Sequence, residues 1–329
     1  MLKKTILFIS FVLLVSCKVI SQSTAISHDK IEQMKNVVTY VINDYNKNPN
    51  LHNIFITNID TKETFQITNN DYSNLSPQLS LQKGIIYYLS TNGSGAMGWL
   101  RQDSNTPLRL FGYNLLTNEA EIIFYFNRQL NDGEGRNREI SCIYLSNQGS
   151  LYFNDLYGNI IYKMDTDKIS ASKYFINPTE NLIDDFCINE KGDEIYFGNI
   201  NEFYKSRISV PEAKLIGKSE CLPFFKPGNW SPDGKRFIYV DSIAHIYQMD
   251  TKHVENISIP KALKLVISEA YFMSDNKLLV LCETIHDSSS EPYIPECDLY
   301  VYGLKEKRIL ERVTFDKRSK EHLEFRKWE

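Results

Sequence analysis

From residue 54 onward the chain is built of short runs in which apolar and polar residues alternate, rich in Ile, Val, Tyr and Phe and interrupted by Pro, Asp, Asn or Gly. Alternation with period two predicts half-buried strands, and the interruptions predict the turns between them. The clearest case is Asn229 to Val240, N-W-S-P-D-G-K-R-F-I-Y-V. Here Pro232 fixes φ, Asp233 bonds back to the backbone and Gly234 takes the positive φ that closes a hairpin. Weaker copies run over Leu79 to Ser90 around Gly84, Ile140 to Asn154 around Gly149 and Phe186 to Gly198 around Gly192. A fifth, Tyr271 to Cys282, carries Asn276 at the Gly position, and Asn is the next best residue for a left-handed backbone.

A second hairpin type alternates with the first: an aromatic strand, a polar turn and a return strand, as in His245 to Lys252. Asp60-Thr61-Lys62, Asp165-Thr166-Asp167 and Asp250-Thr251-Lys252 occupy the same turn in three copies. Successive copies lie about 42 to 56 residues apart, the blade period of a β-propeller. Two hairpins make one four-stranded blade. Six second-type hairpins against five first-type ones predict an all-β fold, a single six-bladed propeller over residues 51–329. The missing inner hairpin would be completed by the chain ends, with Leu323 to Trp328 as the closing strand. Five or seven blades remain compatible, because terminal repeats are atypical.

Upstream the pattern changes. Ile31, Met34, Val38, Val41, Ile42 and Tyr45 recur three or four residues apart, which predicts a short N-terminal helix within residues 17–50. Val37 to Ile42 is β-branched enough to form a strand instead. Lys3 and Lys4 followed by the apolar run Thr5 to Val15 form a secretory leader, too short to span a bilayer. Leu14-Val15-Ser16-Cys17 resembles the bacterial lipobox, in which the cysteine is acylated and becomes the mature N-terminus. That resemblance makes residues 1–16 a signal peptide and Cys17 the lipid attachment site. It implies a bacterial membrane lipoprotein; Lys18 to Gln22, without acidic residues, point to the outer membrane and its periplasmic face. Cleavage near Ser21 to Ala25, with Cys17 discarded, is the alternative.

The formal net charge is −4 and falls to about −6 once Lys3 and Lys4 leave with the leader, which excludes a nucleic-acid partner. Cys282 and Cys297 bracket one loop and are placed to form a disulfide, or to remain two buried thiols.

The run S-P-D-G-K followed by F-I-Y-V and then I-Y-x-M-D resembles the TolB-type, WD-repeat-like propeller repeat. The resemblance covers about residues 50 to 316 and is close only over Asn229 to Asp250. It implies a rigid disc with loops on two faces and a central funnel. TolB carries a separate α/β domain before its propeller, for which residues 17–50 leave no room, so a specific role in the Tol system is not expected.

Gly93-Ser94-Gly95-Ala96-Met97-Gly98 matches the dinucleotide fingerprint, but Trp99 to Pro107 offers no helix to receive a pyrophosphate. Asp132 to Arg136 lacks the alternating oxygen ligands of a calcium loop. No catalytic residue and no cofactor is assigned, and the scattered histidines define no metal site. Residues at the start of the inner strands crowd one funnel mouth: Ser76, Glu139, Ser141, Asp184, Asp185, Lys226, Ser268 and Glu269. Four carboxylates against one amine make an acidic mouth suited to a cation or a cationic ligand. Trp99, Arg101 and Tyr293 are candidate partner contacts. The expected function is a membrane-anchored binding scaffold that recognises a protein, peptide or glycan on a propeller face. The alternative is a propeller enzyme, of lyase or glycoside hydrolase type, with its site in the funnel.

Overall fold

The computed structural model describes residues 26, 28–43, 51–70, 72–91, 108–124, 140–146, 148–155, 159–166, 170–179, 183, 185–189, 191–198, 202–218, 226–240, 243–286 and 295–327. A short helix, α1 (His28–Glu32), precedes β1 (Asn36–Asn43), β2 (His52–Asn58) and β3 (Thr64–Gln66). Blade 2 is β4 (Asn74–Ser80), β5 (Ile85–Ser90), β6 (Arg109–Asn114) and β7 (Glu119–Phe124). Blade 3 is β8 (Ile140–Leu145), β9 (Leu151–Asp155), β10 (Ile160–Asp165) and β11 (Ser170–Ile176). Blade 4 is β12 (Asp185–Ile188), β13 (Glu194–Gly198), β14 (Glu202–Arg207) and β15 (Lys214–Lys218). Blade 5 is β16 (Lys226–Trp230), β17 (Arg236–Val240), β18 (Ala244–Gln248) and β19 (Val254–Ile257). Blade 6 is β20 (Leu265–Ser274), β21 (Lys277–Thr284), β22 (Cys297–Gly303) and β23 (Arg308–Arg312), and the last strand is β24 (Lys320–Lys327).

These strands form six four-stranded antiparallel sheets, and the first has the order β24-β1-β2-β3. The C-terminal strand is thus the innermost strand of blade 1, paired with β1 from Asn36↔Lys327 to Ile42↔Lys320. The predicted six blades and the closure by the chain ends are both present, and closure leaves no blade unpaired in the ring.

The expected helix extends only over His28–Glu32; Asn36–Asn43 is a strand. The apolar run Val37 to Ile42 reads as a helical face only because both flanks of β1 are buried. Val37 and Val41 pack towards Ile54, Ile86 and Phe111, while Val38, Tyr40 and Ile42 pack towards Leu279, Leu299 and Val301. A strand wedged between two blades carries two apolar sides, and β-branched residues suit it. The first blade therefore draws on residues upstream of 51.

Turn chemistry matches the sequence closely. Gly84, Gly149, Gly192 and Gly234 all have positive φ, between 62° and 77°. Each donates its N–H to the carbonyl three residues back, 2.8 Å for Gly234 to Ser231. The Ser231 hydroxyl and the Lys235 amide bond Asp233, and the Ser231 hydroxyl holds the Asp233 carboxyl below the usual range. Asn276 departs from this pattern. Ser274 and Lys277 pair directly across Asp275-Asn276, and Asn276 stays out of the left-handed region. On the outer hairpins Lys62, Asn118 and Lys252 take positive φ, each closing a turn at 2.8 Å onto the carbonyl of Asn58, Asn114 and Gln248.

The inner strands all run the same way, so the two faces of the disc differ. On one, here the turn face, the inner strands end and tight turns join the strands. On the other, the loop face, the inner strands begin, and the longer connections, such as Ser90 to Arg109, Phe124 to Ile140 and Thr284 to Cys297, leave from it.

Candidate functional site at the channel mouth

Blades stand radially, so each inner strand presents a free backbone edge to the central channel. Unpaired amides and carbonyls there need partners. The register slips in five of the six inner strands, at Ser76-Pro77, Ser141-Cys142, Gly228-Asn229, Ser268 and His322-Leu323. Bulges of this kind re-aim backbone groups. Ser76 and His322 lie in them with φ of 50° and 54°, strained values for residues with a Cβ.

Side chains from one blade satisfy the free edge of the next. Glu269 on β20 is 6% exposed, and its two carboxylate oxygens accept the amides of His322 and Leu323, each at 2.8 Å. Glu324 on β24 accepts the amide of Leu79 on β4 at 2.5 Å. Gln78 on β4 accepts the amide of Leu145 on β8 at 2.9 Å, and Tyr144 on β8 donates to the carbonyl of Ile188 on β12 at 3.0 Å. Tyr271 donates to the Leu323 carbonyl. Arg326 pairs with Glu324 at 2.5 Å and donates to the Leu145 carbonyl. Burial pushes the Glu324 carboxyl and the Tyr144 and Tyr271 phenols up, with Arg326 opposing in each case.

The predicted mouth residues therefore divide. Glu269 is a strut and not an open ligand; its carboxylate is committed to the closing strand. Ser268 donates to the Leu281 carbonyl at 3.3 Å. Asp185, half-buried at the head of β12, accepts the Phe186 amide at 2.9 Å. Ser76 sits half-buried in its bulge. Ser141 and Lys226 fall in the first two residues of β8 and β16. Glu139, Asp184, Trp99, Arg101, Tyr293, Cys17, Gly93 to Gly98 and Asp132 to Arg136 lie outside the described residues.

Sequence reasoning missed a second carboxylate at the mouth. Glu321 lies 3.0 Å from Nε2 of His52, which is 1% exposed. The other ring nitrogen of His52 lies 2.9 Å from Oγ of Ser73. The side-chain nitrogen of Asn43 lies 3.2 Å from the same Nε2; in the tautomer with the proton on Nε2, towards the carboxylate, Ser73 donates to Nδ1. The order hydroxyl, imidazole, carboxylate is that of a nucleophile relay, yet Ser73 is 2% exposed. The chain acts as a clasp between β2, β24 and the segment entering β4. No sequence motif marks it, because its members are Ser73, His52 and Glu321. Among the described residues no group of three His, Cys, Asp or Glu side chains is arranged to hold a metal.

The disulfide alternative is corrected by the register. Glu283 pairs with Cys297 and Cys282 with Asp298, so the two thiols point to opposite faces of blade 6. Both are free and buried, Cys282 against blade 5 and Cys297 against blade 1.

No family model matches the sequence, and no curated protein matches it. Solved structures do match the fold. The chain is similar to TolB from Acinetobacter baumannii with a TM-score of 0.62 and 15% identity, over 88% of this chain and 66% of that one. This chain thus spans just under two thirds of that TolB. It is also similar to a chain of the nidogen/laminin complex (TM-score 0.59, 8% identity, covering 88% and 98%). A protein of unknown function from Bacteroides caccae matches at 0.54 with 12% identity, covering 87% and 97%. At these identities the likeness defines the fold: a six-bladed β-propeller of the kind found in TolB.

Proposed function

We propose that the protein is a binding scaffold of the bacterial cell envelope, held at a membrane through lipid on Cys17, probing for a protein, peptide or glycan at the channel mouth. What supports this reading is the inequality of the two faces. Tight turns close one face, whereas the longer connections leave the other, around the heads of the inner strands. Connections carried on a rigid ring are the usual place for recognition. The lipobox resemblance supports the anchor, and the TolB-like fold accords with an envelope location, on the periplasmic side of the outer membrane.

Asp185 at the head of β12 and Glu321 on β24 supply negative charge at the mouth, since Glu269 is committed to the closing strand; Asp184 precedes Asp185 in sequence. A ligand bearing a cation fits such a mouth. The test is capture from solubilised membranes with wild type and with the variant Asp184→Asn, Asp185→Asn, which leaves the Glu321 clasp intact. The variant should retain the wild-type unfolding midpoint and lose most of the captured partner. Equal capture would overturn the acidic mouth. Turnover of a glycan or peptide by purified protein, abolished in the variant, would instead make the protein a funnel enzyme.

A further inference from the structure

The segment that follows Cys17 is fastened to one face only. Asn36 pairs with Lys327 at the end of β24, where the inner strands stop. Its side chain donates to both carboxylate oxygens of Asp60, at 2.9 and 3.0 Å, in the β2–β3 turn. Lys30 of α1 bonds Glu63 at 3.2 Å and lies 5.1 Å over the Phe65 ring. Ile26, Ile31 and Met34 are buried against Leu79 and Leu115, beside the turns of blade 2. The chain from Ile26 onward is therefore pinned at the turn face of blades 1 and 2.

We infer that this turn face is membrane-proximal and that the loop face, with the channel mouth, is held away from the bilayer and open to a partner in the aqueous space. The inference rests on the reading of Cys17 as the lipid-bearing residue. The stretch from Cys17 to Ile26 reaches about 30 Å when fully extended and about 16 Å as a coil. The eight residues of β24 span the disc, about 26 Å at strand rise. For the loop face to meet the lipid, the stretch would have to span the whole wall near its full reach. With the turn face towards the bilayer a fraction of that reach suffices.

The loop face does carry apolar side chains that a bilayer would accept. Leu263, Val266 and Ile285 are 50%, 41% and 47% exposed at the open end of the β20–β21 pair. The orientation holds them away from lipid, and the same experiment tests that.

Lipidated full-length protein is reconstituted into phospholipid vesicles carrying a headgroup quencher. A fluorophore is placed either on Thr117→Cys, in the turn face, or on Lys261→Cys, in the loop face, with the parent protein as background for its native thiols. Quenching at Thr117→Cys should exceed that at Lys261→Cys several-fold, and a long Gly/Ser insertion between Cys17 and Ile26 should reduce the difference. Equal quenching by floated protein, or stronger quenching at Lys261→Cys, overturns the orientation while leaving the anchor in place. Failure of the protein to float with vesicles, matching Cys17→Ala, overturns the anchor and the orientation with it.

Discussion

The Glu269 carboxylate accepts the backbone amide of Leu323 at 2.8 Å, so blade 6 holds the strand that closes blade 1. Its other oxygen takes the His322 amide, and together they satisfy the bulge in β24. Glu269→Ala should leave two donors unsatisfied and cost about 1–3 kcal/mol. Glu269→Gln, which keeps one acceptor, should fall between. Urea denaturation measures both, and an alanine variant as stable as wild type would mean that channel water replaces the carboxylate.

Removing residues 320–329 should have a larger effect. It strips the inner strand from blade 1, frees the edge of β1 and removes Glu324 from the Leu79 amide. The expected outcome is loss of the cooperative unfolding transition and aggregation through the exposed edge. A monomeric truncated protein with an unchanged midpoint would show that closure is dispensable.

Gly234 has φ of 66° at its hairpin tip. Gly234→Val should cost about 1–3 kcal/mol, as a β-branched residue forced into the left-handed region. Gly234→Asn should cost less, because Asn tolerates that region. Equal denaturation midpoints would argue against the turn.

The approach to β24 carries a titrating latch. Lys320, with a wholly buried side chain, bonds Asp316, lies 3.5 Å from Asp298 and donates to the Cys297 carbonyl at 2.8 Å. Burial works to raise the Asp316 carboxyl, but Lys320 and Arg318 outweigh it and hold the group below the ordinary aspartate value. With a lowered folded value, the stabilisation is complete above the unfolded pKa near about 4. It is lost as pH falls through the folded pKa. Asp316→Asn should therefore be less stable at neutral pH, and its urea midpoint should fall less between neutral and strongly acidic pH. Parallel pH profiles would remove Asp316 from the latch.

Cys282 and Cys297 should resist both oxidation to each other and alkylation in the native state. Burial pushes the Cys297 thiol up to about 11 and the Cys282 thiol higher still. Mass spectrometry after diamide treatment should find no Cys282–Cys297 crosslink, and labelling of either thiol should require unfolding. A native crosslink would overturn the register that separates them.

The strands, both turn types and the count of six blades were legible because each is a local property. Period-two alternation and the demands of a left-handed Gly84, Gly149, Gly192 or Gly234 are written within a few residues. Asn276 shows the limit of that reading, since its turn closes with Ser274 opposite Lys277 while Asn276 stays out of the left-handed region. Val37 to Ile42 was ambiguous for a different reason: a segment buried on both sides has no polar face to reveal its period.

Tertiary structure decided the use of the polar residues. Glu269 and Asp185 look alike in sequence, each an acid at the head of an inner strand. One is sealed against the amides of β24 and the other is half-exposed at the channel. Glu324 meets Leu79 across 245 positions of sequence, and Cys282 and Cys297 part because a register of one residue turns them to opposite faces. Local pattern fixes which backbone groups are paired within a blade. Which side chains complete the remaining groups depends on how neighbouring blades pack around the ring, and no single segment encodes that.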